Sequence, residues 1–64
     1  MIESGVMVKW TSDVPGYGLQ EITGIVSNVS DTEVFVNCCV STGSHRKVPP
    51  TRLKLSQVEL YESN

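Results

Sequence analysis

Cys38, Cys39 and His45 stand close together in this sequence and are the side chains best suited to covalent or metal chemistry. A thiol beside an imidazole is the pairing of a cysteine nucleophile and its base. Cys39 and His45 can be drawn that way. His45 is nevertheless the only histidine, and it sits between a serine and an arginine in an expected hairpin, where no carboxylate orients the ring. A surface histidine is the plainer reading, and the chain is not expected to be an enzyme. As metal ligands the three fare no better, because neighbours in a strand point to opposite faces and the spacing matches no common two-cysteine arrangement. A disulfide between adjacent residues is strained. The expectation is therefore two reduced thiols, Cys38 in the core and Cys39 at the surface. Pro15-Gly16-Tyr17-Gly18 lacks the lysine, the serine and the following helix of a phosphate-binding loop. Neither a metal nor a cofactor is expected.

Charge carries more information. Arg46, Lys47, Arg52 and Lys54 are four of the five basic residues, with His45 adjacent, and every acidic residue lies outside that window. If residues 46–55 form one strand broken at Pro49-Pro50, Arg52 and Lys54 project from one face, opposite Leu53 and Leu55. Such a stripe steers a protein toward phosphates or toward an acidic protein surface. The plainer reading is a solvated strand whose basic side chains discourage edge pairing. The net charge of −2 argues against a general nucleic-acid coat protein.

The aromatic residues are Trp10, Tyr17, Phe35 and Tyr61. Trp10 and Tyr17 flank Asp13, a grouping that faintly resembles a groove for methyl-lysine or a proline-rich peptide. Trp10 also shares parity with Val6 and Val8, and a core position is the better reading of it. Phe35 falls on the face opposite Val34 and Val36. With Cys39 it is expected to form an exposed apolar spot, unless it packs under the loop after the first strand.

The elements that must position these residues are strands. Alanine is absent, β-branched residues abound, and apolar residues recur every second position, most clearly at Val34, Val36, Cys38 and Val40. Strands are expected at about 5–10, 20–29, 33–40, 46–55 and 57–61, with no α-helix. Thr11–Leu19 is expected as a long loop and Ser30–Thr32 as a tight turn. A second turn is expected around Gly43, which is free to take positive φ. Pro49-Pro50 must interrupt the fourth strand or place it at an edge. Ser56 is expected to cap a 3-10 turn over Ser56–Val58. The expected core is Val6, Val8, Ile22, Val26, Val34, Val36, Cys38, Leu53, Leu55, Val58 and Leu60.

With 64 residues, the chain has room for one core, so residues 1–64 are read as a single domain. A domain of this size is stable by about 3–5 kcal/mol, which leaves little to hold a strained active site. The first ten residues lack the basic start and apolar run of a signal peptide, and no stretch approaches a membrane span. Both point to a cytoplasmic protein without membrane contact.

Together, five short strands and a 3-10 turn before the last one describe an all-β, five-stranded SH3-like barrel. From Gly5 to Val36, with Val6-Met7-Val8, the glycines 16 and 18, and Gly24-Ile25-Val26, the sequence resembles KOW-type and related SH3-like barrels. Residues Leu53 to Leu60 look like the closing strand, 3-10 turn and final strand of that group. The photosystem I accessory subunits with an SH3-like fold are a similar family. The resemblance implies a small binding protein. Two functions are expected to compete. One is a protein-binding regulatory or accessory module, an adaptor or inhibitor of the kind common among phage products, using Trp10, Asp13, Tyr17 and Phe35. The other is a nucleic-acid-binding barrel using the basic residues at 45–54.

Overall fold

The computed structural model describes residues 2–43 and 45–61. Its elements are β1 (Met7–Val14), β2 (Gly18–Val29), β3 (Glu33–Ser41), β4 (Lys47–Val48) and β5 (Thr51–Lys54), then a 3-10 turn (Leu55–Gln57) and β6 (Glu59–Leu60). The protein is all-β. One antiparallel sheet runs in the order β4-β3-β2-β1-β6, and β5 also pairs with β3. Its ladders do not close into a barrel, and there are six strands where five were expected. Among the described residues no helix is long and apolar enough to cross a membrane.

The additional strand comes from Pro49-Pro50. β5 pairs with β3 in the register that β4 would have reached had it continued. The two prolines remove the ladder donors between them, so the expected fourth strand is one path in two pieces. The expected long loop after the first strand is instead a tight turn. Val14 pairs with Gly18, and the Tyr17 amide donates to the Val14 carbonyl at 2.8 Å. Pro15 and Gly16, the latter at φ 84°, supply what a type II turn requires at its two central positions. In the turn after β3 the positive φ falls on His45 at 56° and not on Gly43.

The core consists of Val8, Trp10, Ile22, Val26, Val34, Val36, Cys39 and Val58. Val6, Leu53 and Leu55 are partly buried against it, and Leu60 is half-buried. The cysteines are reversed from expectation, Cys38 being exposed and Cys39 buried. A bulge causes the reversal. Thr23 faces Val40 and Ile25 faces Asn37, so β3 sets Cys38 and Cys39 against Gly24 alone. Cys38 takes φ 56° as the inserted residue, and the alternation resumes one position later. Gly24 makes the close approach possible. A Cβ there would lie 2.4 Å from Val36 Cγ1 and 3.0 Å from the Asn37 carbonyl.

The 3-10 turn begins one residue earlier than expected, and Ser56 does not cap it. The Gln57 side chain accepts the Lys54 amide at 2.9 Å, and the Leu55 amide donates to Thr32 at 2.9 Å. This turn carries the chain from β5 to the far edge of the sheet, where β6 pairs with Val8 and Lys9.

Candidate functional site

The even-numbered residues of β1 and β2 face the core, and that face runs on past its well-filled part toward the β1–β2 turn. There it opens as a cleft of about 300 Å³. Its floor is Ile22 and the buried Ser41. Val14, Pro15 and Tyr17 form one wall, and Arg46, Val48 and Pro49 form the other. The interior is mostly aliphatic. Asp13 is at the rim on the β1 side, and Lys47 is on the β4 side.

Hydrogen bonds hold these walls. Ser41 Oγ donates to Gln20 Oε1 at 3.3 Å, while Gln20 Nε2 donates to the Tyr17 carbonyl at 3.2 Å and the Leu19 carbonyl at 3.1 Å. Gln20 therefore ties the β1–β2 turn to the end of β3 and satisfies Ser41, the one buried polar side chain among the described residues. Across the cleft mouth, Arg46 Nη1 donates to the Tyr17 hydroxyl, and the guanidinium carbon lies 4.7 Å from the ring centroid. Tyr17 remains 48% exposed, so this contact closes over the cleft without filling it.

The residues expected to act do not form one surface. Trp10 is only 5% exposed and belongs to the core, which removes it as a partner contact and removes the second wall of any aromatic cage around Asp13. Phe35 is 45% exposed on the outer face, where Arg52 lies 5.5 Å from its centroid. Cys39 is buried and cannot share an exposed spot with it.

The basic residues also separate. Arg46 and Lys47 belong to the cleft, with His45 exposed in the adjoining turn. Arg52 and Lys54 project outward from β5 as expected, but beside an acid. Glu33 pairs with Lys54 across the ladder, and its Oε2 is 3.9 Å from Arg52 Nε. The fold thus brings a carboxylate to a segment that has none in sequence.

Chemistry at Cys39 is disfavoured. The Cys39 thiol donates to the Val36 carbonyl at 3.4 Å, and burial pushes its pKa above the ordinary thiol value. His45 makes no side-chain hydrogen bond among the described residues. No group of three or more metal-ligating side chains occurs among them either.

Gln20, Ser41, Val48 and Pro49 were not anticipated from the sequence. The bulge at Cys38 places Ser41 on the core face, and no sequence signal marks it. Val48-Pro49 directly follow the basic pair, an adjacency that could have been read. No protein-family model, curated protein or solved structure matches this chain.

Proposed function

We propose that this chain is a non-catalytic protein-binding module, a small cytoplasmic adaptor or inhibitor of a larger protein, acting through the cleft between the β1–β2 turn and β4. The cleft itself carries the reading. It continues the core face and is lined mainly by Val14, Pro15, Tyr17, Ile22, Val48 and Pro49, with Asp13, Arg46 and Lys47 as its charged residues. An apolar recess with polar edges is what a partner's anchoring side chain fills. His45, which makes no side-chain hydrogen bond among the described residues, and the buried thiol of Cys39 support a non-catalytic role. Kinship with SH3-like barrels is supported by the 3-10 turn that returns the last strand to the first.

The test is capture from lysate with nuclease present, comparing the wild-type chain with Tyr17→Ala and Phe35→Ala. We expect a captured protein whose retention falls by about tenfold or more in Tyr17→Ala, the loss of one buried aromatic anchor. Phe35→Ala should retain it. Equal retention by Tyr17→Ala would sink the cleft assignment. Trp10→Ala is unsuitable as a probe, because truncating a core tryptophan costs about 3–5 kcal/mol and would unfold the chain.

One observation favours a second reading, nucleic-acid binding. Each exposed ring among the described residues carries a cation: Arg46 at Tyr17, Arg52 at Phe35, and Lys9 at 5.9 Å from the Tyr61 centroid. Rings beside cations suit stacked bases and phosphates. Glu33 beside Arg52 and the net charge of −2 weigh against it. On this reading nucleic acid is recovered without nuclease, leaves as salt rises, and is lost in the Arg46→Glu, Lys47→Glu double variant.

A further inference from the structure

Tyr17 and Arg46 meet across the mouth of the cleft, and the backbone on each side of that contact is pinned. The Tyr17 amide donates to the Val14 carbonyl at 2.8 Å, and the Tyr17 carbonyl accepts Gln20 Nε2 at 3.2 Å. The Arg46 carbonyl accepts the Ser41 amide at 2.8 Å, and the His45 amide donates to the Ser41 carbonyl at 2.7 Å. Both turns are thereby fixed, so motion at the mouth belongs to the two side chains. Each is exposed, and they hold one another by two contacts. The guanidinium donates to the phenol oxygen and lies 4.7 Å from the ring centroid. Among the described residues Arg46 has no carboxylate partner to hold it elsewhere.

The ring also has somewhere to go. Tyr17 stands between Gly16 and Gly18, both at positive φ (84° and 77°). A Cβ on either would meet no heavy atom beyond its own chain neighbours within 4 Å, so nothing outside the turn crowds Tyr17 from either flank. Strength decides what such a contact can do. A hydrogen bond and a cation over a ring, both at the surface, bias closed over open by about tenfold. Exposed side chains change rotamer in picoseconds to nanoseconds, so the contact acts through populations and not through delay.

We propose that Tyr17 is a lid and Arg46 its latch: an apolar side chain of a partner enters the cleft only when the ring has swung away from Arg46. Once open, the ring is the wall against which that side chain packs, above Val14, Ile22 and Val48. The open fraction sets the apparent affinity. A protein as the occupant rests on the function proposed above.

The test uses the full chain with labelled methyl groups and benzene as a neutral probe of the cleft. Tyr17→Phe keeps the ring and loses the hydroxyl acceptor, whereas Arg46→Met keeps an unbranched apolar stem and loses both contacts. Three-bond couplings should report one χ1 rotamer for Tyr17 in the wild type and an average over rotamers in Arg46→Met. Benzene should shift the methyl resonances of Val14, Ile22 and Val48. Its affinity should rise about threefold in Tyr17→Phe and about tenfold in Arg46→Met.

Unchanged couplings in Arg46→Met would overturn the latch. Averaged couplings with equal benzene affinity in all three chains would overturn the lid, because the ring would then move without guarding anything. Weaker binding by both variants would make the pair a fixed part of the site, which ends the gate and leaves the cleft as a binding surface. No methyl shift in any chain would overturn gate and function together. In the capture experiment Tyr17→Phe should retain the partner at least as well as the wild type, unlike Tyr17→Ala, which also removes the wall. Tighter benzene binding in the variants with full capture by Tyr17→Ala would sink the protein-binding reading while the gate stood.

Discussion

Cys38 and Cys39 are adjacent in sequence and occupy opposite environments. Cys38 is exposed at a positive φ, whereas Cys39 is packed against the core and donates to Val36. A soluble thiol reagent is expected to modify one cysteine per native chain, at Cys38, and the second only on unfolding; two fast equivalents would show that Cys39 is accessible. The pH dependence follows from burial of Cys39. Its raised pKa means the unfolded chain ionises first, so its stabilising contribution is complete below about pH 8.5. It is lost as pH rises further, through the higher folded value. Thermal melts should therefore fall above that pH less steeply for Cys39→Ala than for the wild type. Counting every second residue along Val34, Val36 and Cys38 chose the wrong cysteine because no composition rule reveals a bulge whose left-handed residue is not glycine.

At the scale of elements, the β2–β3 ladder depends on a residue that contributes no side chain. Gly24 lies against Val36, and Val36 is fully buried and cannot swing aside. Gly24→Ala is expected to cost about 1–3 kcal/mol through overpacking. With a total of about 3–5 kcal/mol available, its urea midpoint should move well below that of the wild type. An unchanged midpoint would mean that β3 can shift away from β2. The strands were legible because their signal is local: valines at every second position and prolines that stop a ladder. Tyr17 was legible as an exposed aromatic for the same reason. The tight turn at Pro15-Gly16 was not, being expected as the long loop Thr11–Leu19. The Gln20–Ser41 bond and the Glu33–Arg52 contact were not legible either, because each joins residues far apart in sequence, the first across the bulged β2–β3 ladder and the second across the β3–β5 ladder.

The whole molecule depends on its two edges. Its positive charge is divided between the cleft and the outer face of β5, and Glu33 blunts the second group. The stripe read from sequence is thus not one field, and a partner steered by Arg46 and Lys47 would meet the cleft first. The other edge holds the structure together through little chain. Val58 is a core residue, and β6 reaches β1 only at Val8 and Lys9. A chain ending at Gln57 loses both and is expected to lack the cooperative thermal transition of the full chain; a two-state melt for that truncation would show that β1–β5 fold alone. The pairing of Val8 with Leu60 also orders events during synthesis. Val8 has no partner on that side until Leu60 has emerged from the ribosome. The β1–β2 hairpin therefore waits, with one flank bare, until the chain through β6 has been made.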